Sequence, residues 1–261
     1  MENKAIYINK SLVKALTIID LFDDHIQKLS EKEIADKLSS TSSTVYPILF
    51  TFEKYGYLER SKKDKKYSIG LAFLRKGNLV LKKLDIRNCA QPFLEQLMLS
   101  CNENVHLAML DNGKVMYIDR KEAGQSLMIR SYIGKKVPAN CTALGKAMIA
   151  FLEEQELEVF LEKEELVRMT ENSIVDANDL KTELEKVRSD GYAIEIEEFQ
   201  KGGVCLAAPI RNHIGNVIAA ISISVPKSRF LDLDNNTSKE LIKEIKNTAL
   251  NISKNMGYLE D

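Results

Sequence analysis

The stretch from Leu29 to Gly70 constrains the fold of this chain more than any other, because two short helices, a polar turn and a basic hairpin can all be read in it. Ser30 and Glu33 form a capping box, in which the hydroxyl accepts from the third helical N–H while the carboxylate returns to the cap's own N–H. Ile34, Ala35 and Leu38 then supply one apolar face, which predicts a helix over 31–38. The cluster Ser39, Ser40, Thr41 and Ser42 is a turn. A second helix is expected to start near Ser43, to bury Val45, Ile48, Leu49 and Phe52, and to close at Gly56, where a left-handed backbone suits glycine. Ser42, Ser43, Thr44 and Tyr46 are left at its outward, N-terminal end. Hydroxyls there suit a helix whose N-terminus meets a phosphate backbone while neighbouring side chains reach base edges.

Strand, basic tip and strand follow directly: Tyr57-Leu58-Glu59-Arg60, then Ser61-Lys62-Lys63-Asp64-Lys65-Lys66, then Tyr67-Ser68-Ile69-Gly70. A lysine-rich tip is by itself most often a solvated turn. Next to this helix pair it reads instead as the wing of a winged helix-turn-helix, with Arg60, Lys62, Lys63, Lys65 and Lys66 available to phosphate. Charge along the chain supports that division. The net charge is only −1, yet residues 1–84 hold 16 Lys and Arg against 10 Asp and Glu, and residues 85–261 hold 21 against 28. A basic head and an acidic body are expected when only the head meets nucleic acid.

With 261 residues, 44% of them hydrophobic, the chain can bury the cores of a small domain and a larger one. It contains no run of 18 apolar residues, and Met1-Glu2-Asn3-Lys4 lacks a signal-peptide pattern, so the cytoplasm is the expected compartment and no membrane partner is expected. Cys89, Cys101, Cys141 and Cys205 are widely spaced without a C-x-x-C pair, which argues against a zinc ribbon and for buried free thiols. No metal and no cofactor is expected.

Leu12, Ala15, Leu16, Ile19 and Phe22 place a first helix over 9–24, packed behind the helix pair. After the wing, Leu71, Leu74, Leu81 and Leu84 line one side of a linker helix, 71–84, whose stripe is either a dimer seam or a contact with its own body. Asp85 caps a helix to about residue 100, in which Pro92 predicts a kink or a late start. Apolar runs at 105–110 and 114–119 flank Asp111-Asn112-Gly113, a hairpin signal, and a further strand fits 126–132. A loop through Pro138 leads to helices at 142–169 and 178–189, ended by Gly191. Strands at 192–198, 203–210 and 217–225 and a last helix at 237–255 complete an antiparallel sheet in an α+β domain.

Two of these strands have a bulky face and a small one: Cys205 and Ala207 alternate with Val204 and Leu206, and Ser222 and Ser224 with Ile221 and Ile223. If the small faces pair, the sheet presents a shallow hollow with two hydroxyls and a thiol, suited to a small ligand; alternatively, small residues let a helix pack close. Gly145-Lys146 is not a phosphate loop, because Asn140 stands where the first glycine is needed and Ala147 where Ser or Thr is needed.

Ser43-Thr44-Val45-Tyr46, Tyr55-Gly56-Tyr57-Leu58-Glu59-Arg60 and Tyr67-Ser68-Ile69-Gly70 together resemble the N-terminal domain of IclR-type transcriptional regulators. Cys141-Thr142-Ala143-Leu144-Gly145-Lys146-Ala147 and the run from Gly191 through Glu198 to Cys205-Leu206-Ala207 resemble the hallmark segments of that family's effector-binding domain. The resemblance covers nearly the whole chain. It implies a winged helix-turn-helix domain at 1–70, a linker helix at 71–84 and a GAF/PAS-like effector-binding domain at 85–261. It implies a sequence-specific regulator, a repressor before an activator, that binds a double-stranded DNA operator as a homodimer or dimer of dimers. A small-molecule effector, a small organic acid being typical, would then meet the backbone of Ala143 and Leu144, the side chains of Glu195, Cys205, Ser222 and Ser224, and walls at Ile129 and Val137. The chain departs from the family pattern at Pro47, where arginine is usual, and at Glu195, where aspartate is usual; the first bears on the operator sequence, the second on ligand size.

The competing class is a thiol- or metal-dependent enzyme acting on a small metabolite. Cys141 or Cys205 would need a base, and only His25, His106 and His213 exist, in no motif that pairs them. No catalytic residue is assigned.

Overall fold

The computed structural model describes residues 8–23, 25–83, 85–124, 131–232 and 235–259, and the chain divides into two compact units between residues 83 and 84. In the first unit, helix α1 (Lys10–Asp20) starts at Asn9, whose Oδ1 accepts from the N–H groups of Ser11 and Leu12. It ends short of the expected residue 24, and the expected stripe is covered only in its C-terminal part: Ile19 and Phe22 pack on the core beside the buried Ile18, whereas Leu12 and Leu16 are 58% and 57% exposed. The core formed by Leu29, Ile34, Val45, Leu49, Leu58 and Tyr67 receives only the C-terminal half of α1.

Helix α2 (Glu31–Lys37) carries the expected capping box, with Glu33 N–H donating to Ser30 Oγ at 3.3 Å and Ser30 N–H to the Glu33 carboxylate at 2.6 Å. A turn through Ser39, at φ +46°, leads into α3 (Ser42–Lys54), one residue earlier than expected. Val45 and Leu49 of α3 are fully buried, and Gly56 at φ +74° reverses the chain as its position required. Strands β1 (Leu58–Arg60) and β2 (Tyr67–Ile69) pair antiparallel, Leu58 opposite Ile69 and Arg60 opposite Tyr67. Helix α4 (Leu71–Lys83) continues through Gly77.

The second unit begins with α5 (Asp85–Cys101), which Pro92 neither delays nor interrupts. Proline there withdraws a donor from the carbonyl of Asn88, and both residues lie on the exposed side, where water can satisfy that carbonyl. Strands β3 (Asn104–Asp111) and β4 (Lys114–Lys121) form the expected hairpin, with Asn112 and Gly113 both at positive φ, 50° and 74°. The strand expected at 126–132, with Ile129, lies outside the described residues but for Ser131 and Tyr132, which are not in a strand. What was expected as loop through Pro138 is strand β5 (Lys136–Pro138), paired with the open edge of β4.

The helix expected over 142–169 is two helices, α6 (Ala143–Ile149) and α7 (Glu154–Lys163), followed by irregular backbone. The apolar run Ala150-Phe151-Leu152 hides the break, but Glu153 caps α7 by exchanging bonds with Glu156. Helix α8 (Ala177–Asp190) starts at Asp176 and ends at Gly191, φ +72°. Strands β6 (Ala193–Ile196), β7 (Gly203–Arg211) and β8 (Val217–Pro226) follow, then α9 (Lys227–Asp232), not anticipated, and α10 (Asn235–Asn255).

Six strands form one antiparallel sheet in the order β5-β4-β3-β8-β7-β6. One face packs Val105, Leu107, Leu206, Ile221 and Ile223 against Ile86 and Leu94 of α5 and Ile245 and Ile252 of α10. The other packs Ala108, Tyr117, Cys205, Ala207 and Ala220 against α6, α7 and α8. The bulky and small faces of β7 and β8 therefore segregate as their alternation required, Cys205 opposite Ser224 and Ala207 opposite Ser222.

Candidate DNA interface and ligand pocket

Two groups of residues are candidates for function, one on each unit, the first exposed and the second buried. On the first, Ser42, Ser43, Thr44 and Tyr46 are all exposed at the start of α3. The Thr41 hydroxyl lies 3.0 Å from that of Ser43 and 2.9 Å from that of Thr44, so three hydroxyls cluster where the helix leaves N–H groups unpaired. The ends of this helix also carry its dipole, positive at the N-terminus, which favours an anion there. Sequence reasoning missed Phe50, which is 51% exposed and stacks against Tyr46 with ring centroids 6.2 Å apart. Its position four residues after Tyr46 was the available signal.

At the wing, the tip turns through Lys65 at φ +58°, and Lys62, Lys63 and Lys65 are exposed. The other two basic residues expected there make contacts within the unit, although Arg60 is exposed as well. Lys66 donates to the Glu33 carboxylate at 3.3 Å, and the Arg60 guanidinium lies 5.3 Å from the centre of the Tyr67 ring. Bonds from the Ser30 N–H and hydroxyl, then Lys66, hold the Glu33 carboxyl down to about 2, so that carboxylate is ionised beside the wing. The wing base is thus pinned to the cap of α2 while its tip stays free.

On the second unit, the small face of the sheet carries a connected polar group. Cys205 Sγ and Ser224 Oγ are 3.3 Å apart, and Ser224 Oγ is 3.4 Å from His106 Nδ1. His106 packs on Tyr117, ring centroids 5.4 Å apart, and burial holds its imidazole neutral, with a pKa near 4. Glu195, opposite Cys205 in β6, accepts from the N–H of Glu198 at 2.9 Å and of Phe199 at 3.4 Å. Burial outweighs those bonds and the one from Cys205, raising its carboxyl to about 7. Ser222 is also on this face, opposite His106. Ala143 and Leu144 open α6 beneath the Thr142 cap, whose hydroxyl accepts from Gly145 N–H at 3.2 Å, and Val137 lies in the same apolar cluster. Ile129 is outside the described residues. The sequence reading did not include His106 and Tyr117 in this group, although His106 alternates with the bulky Val105 and Leu107.

Lys146 shows why the Gly145-Lys146 pair binds no phosphate. It is fully buried and its ammonium is engaged by Glu198 at 2.6 Å and Glu183 at 3.1 Å. Burial pushes the Cys141 thiol up to about 12 and that of Cys205 well above the ordinary thiol range, which disfavours the thiolate that a nucleophile requires. Among the described residues, no three His, Cys, Asp or Glu side chains gather as a metal site, and no helix is long and apolar enough to cross a membrane.

Comparison with known proteins matches both units at the level of family. Residues 11–62 match the IclR helix-turn-helix domain, and residues 78–254 match the family described as bacterial transcriptional regulator IclR C-terminal. The chain is 32% identical to the HTH-type transcriptional regulator XynR of Escherichia coli (strain K12), over 96% of this chain and 98% of XynR. It is 28% identical to the HTH-type transcriptional repressor AllR of Klebsiella pneumoniae, over 95% of this chain and 90% of AllR. The crystal structure of the Thermotoga maritima IclR matches at a TM-score of 0.77 and 35% identity, covering 95% of this chain and 99% of that one. A winged helix-turn-helix unit followed by a helix-covered antiparallel sheet defines a DNA-binding transcriptional regulator. The chain belongs to the IclR family.

Proposed function

We propose that this chain is a cytoplasmic repressor that binds a duplex operator as a homodimer or a pair of dimers and changes its grip when a small organic acid occupies the second unit. The observation that carries this reading is the pairing, in one unit, of the hydroxyl-rich start of α3 with the exposed Lys62, Lys63 and Lys65 at the wing tip. Together they supply the phosphate contacts that position a reading helix. Exposed Leu12 and Leu16 on α1, with Leu71 and Leu74 on α4, support self-association, since apolar side chains of this size gain from a partner surface. AllR, a relative that is a repressor by name, supports the sign.

Ala143, Leu144, Val137, Glu195, Cys205, Ser222 and Ser224 are proposed to meet the effector, with His106 and Tyr117 beside them. A carboxyl held near 7 is largely protonated in mildly acidic solution and can then donate to a carboxylate, which removes the repulsion between Glu195 and an acidic ligand. A differential affinity of about 1–3 kcal/mol between the two states would shift operator affinity roughly 5- to 150-fold. No catalytic role is proposed for either buried thiol.

The test is selection of fragments bound by the full chain from the genomic DNA of its source, followed by transcription from the flanking genes with and without the regulator. Recovery of a shared duplex site, with transcription rising when the regulator is deleted, is the expected result. Fragments without a common site would contradict operator binding, and falling transcription would reverse the sign.

A further inference from the structure

The outward face of α3 carries Ser43, Tyr46, Pro47 and Phe50, spaced i, i+3, i+4 and i+7, and all four are exposed. No residue of this strip is charged and none is an amide. The ionic residues of the helix, Glu53 and Lys54, fall in its last turn. Of the polar side chains near the strip, Thr51 donates its hydroxyl back to Pro47 O at 2.7 Å, and the Thr44 hydroxyl lies 2.9 Å from that of Thr41. Val45 and Leu49 are fully buried on the opposite side, so the helix cannot roll to present another face. An exposed pair of stacked aromatic rings thus stands in the unit that also holds the free lysines of the wing. A cationic surround and an uncharged centre fit a polyanion that offers apolar groups within a polar groove.

The major groove of DNA offers one such group, the C5-methyl of thymine; guanine is instead read by the paired donors of arginine or lysine, and adenine by asparagine or glutamine, none of which the strip has. Pro47 adds to this. Lacking an N–H, it leaves the carbonyl of Ser43 without its usual helical donor on the same face, an acceptor suited to an exocyclic amino group. We propose that α3 reads thymine, with Tyr46, Pro47 and Phe50 packing on C5-methyl groups of the operator half-site. This rests on the operator-binding reading above and specifies what that operator contains.

The test uses the duplex selected from genomic DNA, resynthesised with deoxyuridine in place of single thymidines, which removes the methyl and leaves every hydrogen-bonding group. At one or more half-site thymines the full chain is expected to bind about 4-fold more weakly for each methyl removed, the value of burying one such group. Phe50→Ala should abolish that penalty at its own position, Phe50→Leu should retain part of it, and replacing Lys62, Lys63 and Lys65 with Ala should leave it intact while weakening binding throughout. Equal affinity for the thymine and uracil duplexes would overturn the assignment without touching operator binding, as would a Phe50→Ala protein that retains the penalty and differs only in sedimentation, which would make the strip an interface between copies. Failure to bind any duplex would overturn both readings.

Discussion

Glu195 and His106 are buried on the same face of the sheet and are displaced from their ordinary titration in ways that act on stability at opposite ends of the pH range. Glu195 is 1% exposed and its folded carboxyl, near 7, lies above the unfolded value of 4.5. A raised carboxyl favours the protonated fold, so its contribution is complete below about 4.5 and is lost as pH rises through 7. His106 is lowered from 6.5 to about 4, so its contribution is complete above 6.5 and is lost as pH falls through 4. Glu195→Gln should therefore raise the melting temperature at pH 8 by several degrees and leave it little changed at pH 4.5, as measured by calorimetry. An equal shift at both values would show that burial of the charge is not the cause. Lys146 is a stricter case, because removing its ammonium leaves the buried Glu198 carboxylate without its cation, while Glu183 keeps Lys186 at 3.6 Å. Lys146→Met should cost about 3–5 kcal/mol in urea unfolding, and adding Glu198→Gln should restore part of it. Of these residues, Cys205 could be placed from alternation along β7, and Glu195 from the family resemblance alone. The Lys146 partners could not, because Lys146 and Glu198 are distant in sequence and meet only across α6 and the segment after β6.

At the scale of elements, the strongest local signals became structure where local chemistry alone decides. The Ser30–Glu33 box, Asn112-Gly113 and Gly191 each fixed a boundary without help from distant residues. The misread elements depend on partners. Strand β5 is three residues long and exists because the edge of β4 is free to pair, and the stripe of α1 misled because the small core had room for its C-terminal half only. Helices α6 and α7 merged in the sequence because the apolar run between them continues the pattern of both. Close approach holds α6 in place: a Cβ on Gly145 would lie 2.2 Å from the Ala139 carbonyl oxygen. Gly145→Ala should destabilise the second unit by about 3 kcal/mol or more. Hydrogen exchange in the sheet should rise in that variant while exchange in α2 and α3 stays unchanged; an unperturbed sheet would show that the backbone there can yield.

For the whole molecule, a total charge of −1 conceals a basic first unit and an acidic second one, which the proposed function takes as reading head and sensing body. The two tasks should be separable by substitution. Glu195→Gln combined with Ser222→Ala should remove the response to effector while leaving operator affinity unchanged, and a surviving response would place the ligand elsewhere. What the sequence alone cannot disclose at this scale is the effector, since the proposed site is assembled from strands and a helix that meet only on folding. The most direct measurement is the affinity of the full chain for its selected operator against competitor duplex over a range of salt. Wild-type protein should prefer the operator throughout, with log affinity falling linearly in log salt. Replacing Lys62, Lys63 and Lys65 with Ala should flatten that slope by roughly 0.9 for each phosphate that is no longer neutralised. No preference for operator over competitor at any salt, or a slope unchanged by the three substitutions, would contradict a head that grips phosphate through its wing.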